Sequence, residues 1–123
     1  MAEANVSHLR GTVSVIASES IAVNLLVEDH TTVGQVSLCP ANGNPMGVNY
    51  AATIASAARG DVQLLTPGDV VYSLASGTVT VGDYVASAAS GKVVSESATK
   101  SANTIGTALT TGTDVNIHWR MTR

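Results

Sequence analysis

The chain has 123 residues, 45% of them apolar, and a formal net charge of −3 at neutral pH. That length suits one domain and buries roughly two-thirds of the unfolded surface, enough for a core without disulfides or metals. Only 12% of residues are charged and the six Lys and Arg are scattered, which leaves no basic stripe for nucleic acid and no basic amphipathic run for a membrane surface.

Residues 1–11 are polar and read as an extended N-terminal arm, with residues 12–123 as a single β domain. The arm carries Val6 and Leu9 as apolar anchors and Arg10 as a charged contact. A short extended segment of this kind can add a strand to a neighbour's exposed edge. The start has neither a basic region nor an apolar h-region, so no signal peptide is expected. No stretch approaches the length of a membrane span. Synthesis and assembly are therefore expected in a cytoplasm.

Residues 12–27 alternate Val13 and Val15, then Ile21, Val23 and Leu25, around Ser18-Glu19-Ser20. Period two with β-branching predicts two strands and a turn. Val33 to Leu38 predicts another strand, stopped by Pro40, and Asn42-Gly43 marks a turn. Tyr50 to Ala58 is rich in alanine with one large aliphatic, Ile54, so a short helix, a small-residue loop and a strand all fit.

From Gly60 the pattern is regular. Strands are predicted over 61–65, 70–74, 84–86, 93–94, 105–109 and 115–121, with Val79 and Val81 in a further short segment. Gly68, Gly77, Gly82, Gly91 and Gly112 fall between these runs as tight turns with positive φ, and Asp69 and Asp83 as side-chain caps of turn backbone. Turn signals at intervals of about 8–12 residues mark a sandwich or barrel. The expected fold is all-β, a small β-barrel or β-sandwich-like body with an extended arm. A faint internal echo links Met46-Gly47-Val48 and the strand after Gly60 to Ile105-Gly106-Thr107 and the strand after Gly112, which suggests pseudo-symmetry within one barrel.

The core is built from small units, with 17 Val, 17 Ala, three Tyr, one Trp and no Phe. A core so poor in large side chains is often completed by a partner, so self-association is expected. Trp119 shares a strand face with Ile117 and Met121. Core and subunit interface both fit, and interfaces favour Trp, so these three residues are read as a subunit contact.

Chemistry-bearing residues do not assemble into a site. His8, His30 and His118 lie in separate segments without ligand spacing. Cys39 has no second cysteine and reads as a small buried apolar residue. The 13 serines include no Gly-x-Ser-x-Gly elbow, and nothing places Asp69 and Asp83 across a cleft. No catalytic residue, cofactor or metal is expected. Lys92 near a hairpin tip is superficially compatible with a lipoyl or biotinyl carrier domain, but the Asp or Met beside such lysines is missing.

The run Leu74-Ala75-Ser76-Gly77-Thr78-Val79-Thr80-Val81-Gly82-Asp83-Tyr84-Val85 resembles the core of the capsid decoration (cement) proteins of tailed bacteriophages. Ala89-Ser90-Gly91-Lys92-Val93-Val94 resembles the hairpin that follows there, and Ile105-Gly106-Thr107-Ala108-Leu109, Gly112 and Val115-Asn116-Ile117 resemble the ending. Gly47-Val48 and Gly60-Asp61-Val62 extend the series upstream, over residues 46–119. The resemblance implies a non-enzymatic β-barrel-like body with an N-terminal arm. It also implies binding to the major capsid protein on the exterior of the virion, as a homotrimer that stabilises the head. A head fibre base or a tail-tube component is the neighbouring alternative.

Overall fold

The computed structural model describes residues 11–123, so the arm contacts expected at Val6, Leu9 and Arg10 lie outside the described residues. Five strands form a closed barrel: β1 (Thr12–Ala17), β2 (Leu26–Asp29), β3 (Gln35–Leu38), β4 (Gly47–Val48) and β5 (Arg59–Leu64). Their order around the barrel is β1-β3-β2-β4-β5. β1 closes it by pairing antiparallel with β5, from Thr12 opposite Gln63 to Ile16 opposite Arg59. On its other side β1 runs parallel to β3. Alternation fills the interior: Val15 and Ala17 point inward beside Val27, Val36 and Val62, and no side chain there is larger than Ile21 or Ile54.

The second lobe is an antiparallel sheet in the order β9 (Val93–Ser95), β8 (Tyr84–Ser87), β10 (Thr104–Ala108), β12 (Asn116–Met121), β6 (Val70–Leu74). A two-stranded ribbon of β7 (Thr78–Val79) and β11 (Gly112–Thr113) flanks it. Among the described residues the only helical piece is a 3-10 turn at Ala89–Gly91. The two lobes share a core. Leu26, Cys39 and Val48 of the barrel pack into the cluster built around Val71, Ile117 and Trp119.

Trp119 occupies the centre of that cluster. It is fully buried, as is Ile117, and Met121 is nearly so. The subunit contact expected at these three residues is therefore corrected to the chain's own core. The alternation that put them on one face also turned that face inward. Room for the indole comes from Gly106, where a Cβ would stand 2.5 Å from Trp119 Cε3 and 2.2 Å from the Arg120 carbonyl oxygen. The indole N–H donates to Ser73 Oγ at 2.8 Å, which satisfies a donor that burial would otherwise strand.

The internal echo has a structural counterpart. Gly47 pairs with Leu64 and Gly106 with Met121, both antiparallel. In each case the residue after the partner donates to the residue before the glycine: Leu65 N–H to Met46 O (3.1 Å) and Thr122 N–H to Ile105 O (3.0 Å). A Cβ on either glycine would strike the carbonyl oxygen one residue before its partner, at Gln63 (2.7 Å) or Arg120 (2.2 Å). The two copies stand in different sheets, one in each lobe.

Several expected boundaries move. Residues 50–58 form a small-residue loop, held by an Ile21–Ile54 bridge. The Asn49 side-chain amide also holds it, donating to Ile21 O, Ala22 O and Ala52 O. The second strand expected within residues 12–27, from Ile21 on, begins only at Leu26, because Asn24 takes φ +66°, a conformation outside the strand region. Val81 is 59% exposed and belongs to a turn.

Candidate interaction surface

The predicted turn residues sort into two groups. Gly68, Gly77, Gly82 and Gly91 have φ between +77° and +95°, where an L side chain is strained. Gly112 does not: it lies in β11 opposite Val79, and the positive φ belongs to Asp114 at +53°. Asp114 Oδ1 accepts from Gly77 N–H at 2.7 Å. Gly112 is required for space instead, since a Cβ there would approach Val115 Cγ2 to 2.6 Å.

Asp69 and Asp83 close two copies of one turn, Thr66-Pro67-Gly68-Asp69 and Thr80-Val81-Gly82-Asp83. Each aspartate N–H donates to the threonine carbonyl, at 3.1 and 2.9 Å. Each carboxylate accepts from the same threonine's N–H, at 2.9 and 3.0 Å. Asp83 also accepts from Ser95 Oγ at 2.7 Å. That bond, followed by the Thr80 N–H, holds its carboxyl below the usual aspartate value. Both carboxylates thus cap turn backbone, and Asp83 also ties its turn to β9 through Ser95.

The remaining reactive types are equally local. Cys39 is fully buried. Burial pushes its thiol pKa up, against a smaller opposite pull from the Ser87 hydroxyl, so the thiolate is suppressed. His30 Nδ1 accepts from Thr32 N–H at 3.1 Å, and the His118 ring lies 4.6 Å from that of Tyr72. His8 lies outside the described residues. No group of three or more metal-ligating side chains forms among the described residues, and no helix there is long and apolar enough to cross a membrane. The hairpin tip before Lys92 is folded down on the barrel. Gly91 is buried, its N–H donates to Cys39 O at 2.9 Å, and a Cβ there would meet Leu26 O at 2.8 Å.

What the surface does offer is an uncharged, partly apolar groove beside a sheet edge. Among the described residues β6 is the outermost strand of its sheet and pairs only with β12. Val70 and Tyr72 on it are 50% and 47% exposed. Across from this edge stand Tyr50, Gln63 and Leu65 of the barrel, and between them runs a groove of about 180 Å³. None of the residues lining it is charged. Sequence reading marked Val70–Leu74 as a strand but carried no signal that it ends a sheet, because strand order is set by pairings far apart in the chain.

No described protein family matches the chain, and no curated protein is similar to it. Among solved structures, the N base of head fibre gp8.5 of bacteriophage phi29 is similar in fold, with a TM-score of 0.75. The two are 13% identical, and the match covers 90% of this chain and 92% of that one. At that identity the likeness shows a shared fold, which in this chain is an all-β body containing a closed five-stranded barrel.

Proposed function

We propose that this chain is a structural protein of a tailed-phage virion that sits on the outside of the head and acts by binding, without catalysis. The observation that carries the reading is the shared fold with a phage head fibre base over nine-tenths of both chains. The ordered glycine-turn series of residues 46–119, which resembles capsid decoration proteins, points the same way. Polar chemistry is spent on turns, and the hairpin before Lys92 is packed down rather than presented, which argues against a carrier domain.

As a decoration protein it stabilises the shell by linkage. Binding only the assembled head contributes RT ln(1 + [L]/Kd) per site, and repeated sites add. The second reading, the base of a head fibre, is favoured by the same phi29 likeness.

Electron microscopy of purified heads with and without the protein tests both readings. Decoration gives density repeated over the icosahedral surface and heads that release DNA at a higher temperature. A fibre base gives density under longer projections and leaves the release temperature unchanged. Failure to bind heads at saturating protein overturns the proposal.

A further inference from the structure

We infer that the free edge of β6 accepts an added strand, and that the strand is the N-terminal segment, residues 1–10, of a second copy of this chain. The hydrogen-bond phase of the β6–β12 pair shows which backbone groups are open. Met121 N–H donates to Asp69 O (2.8 Å) and Ala75 N–H to Val115 O (3.0 Å), so odd-numbered residues face β12. The amides and carbonyls of Val70, Tyr72 and Leu74 face the other way, because antiparallel pairs alternate. Leu74 N–H donates to Asn24 O at 3.0 Å, which closes one end. Val70 and Tyr72 present their backbone groups to the groove without a partner among the described residues.

Edges left open in soluble proteins are normally blunted by charge, proline or a bulge. Val70-Val71-Tyr72-Ser73-Leu74 has no charge and no proline, and its pairing with β12 runs in unbroken register. The groove beside it is walled by Tyr50 and Gln63, so a second folded sheet cannot approach side-on, whereas a single extended segment can.

The chain outside the described residues supplies such a segment. Ten residues extend at most about 33–36 Å, against about 17 Å for a five-residue strand. Asn5-Val6-Ser7-His8-Leu9 matches β6 in length and the groove in lacking formal charge. The topology selects a second copy over the same chain. Gly11 O accepts from Leu64 N–H at 3.1 Å, and Thr12 lies opposite Gln63, so the chain enters on the β1 flank of β5. The groove lies on the opposite flank, towards β4, so a segment from the same chain has to double back round the end of β5. A neighbour's segment enters straight. Such a head-to-tail contact closes into a ring when the rotation permits. The inference concerns free protein and stands apart from the virion reading.

Sedimentation of the full chain, of a deletion of residues 1–10, and of Tyr72→Pro decides it. Proline removes only an outward amide at this position, and edge strands tolerate that. Val70→Lys serves as a second edge variant, and emission from the buried Trp119 verifies folding in each. The full chain should sediment as two or more copies and all three variants as single copies. A synthetic peptide of residues 1–10 should bind the deletion protein and not its Tyr72→Pro form. A full chain that is single, or folded edge variants that still associate as the parent does, would overturn the inference.

Discussion

Replacing Gly106 by alanine tests whether Trp119 is locked by the strand that crosses it. The new methyl carbon would sit 2.2 Å from the Arg120 carbonyl oxygen and 2.5 Å from Trp119 Cε3. Neither neighbour is a flexible chain end, so β12 must move by about 1 Å against β10 or the indole must leave its rotamer. Overpacking of this kind costs about 1–3 kcal/mol, and a backbone clash sits at the top of that range. For a domain of this size about 3 kcal/mol lowers Tm by about 10 °C. Gly77→Ala is the control: its φ is +77° and no atom lies within 4 Å of the added carbon. Its cost is the left-handed backbone alone, about 1 kcal/mol, partly offset by a stiffer unfolded chain. Thermal melts followed by near-UV circular dichroism, where the single Trp reports on the core, compare the two directly. If both variants melt within about 3 °C of the parent, the close packing of Gly106 on Trp119 is refuted.

Ser73→Ala leaves the buried indole N–H without its acceptor and should destabilise by about 1–3 kcal/mol in urea unfolding. Asp83→Asn tests the turn carboxylate. The folded pKa of Asp83 is depressed, so its stabilisation is present above the unfolded pKa and disappears as pH falls through the folded one. The stability gap between parent and variant should be constant above about pH 5 and shrink as pH falls below the unfolded carboxylate pKa of about 4; a gap independent of pH would remove the assignment. Cys39, buried and with a raised pKa, should resist thiol reagents in native protein and react fully in denaturant, as read by mass.

Much of the fold was legible in the sequence, since period-two alternation and glycine turns are local signals. β6 over Val70–Leu74 was read with its observed ends, and Gly68-Asp69 and Gly82-Asp83 as turns capped by their aspartates, because such a turn is made within four residues. Local signals failed where a distant partner decided. Ile21-Val23-Leu25 has a strand's alternation, yet Asn49, 28 residues from Ile21, ties that stretch into a loop. Gly112 looked like the other turn glycines, but its role is to clear Val115 and Ile117.

By itself, then, the alternating valine-rich sequence determined an all-β chain and the positions of most of its turns. Only the tertiary structure decided that Ile117, Trp119 and Met121 face the chain's own core, that the two aliphatic-glycine echoes lie in different lobes, and that β6 is left at an edge. Alternation tells which residues share a face and not what covers that face. Cover and edge depend on strand order, which contacts between residues far apart in the chain determine.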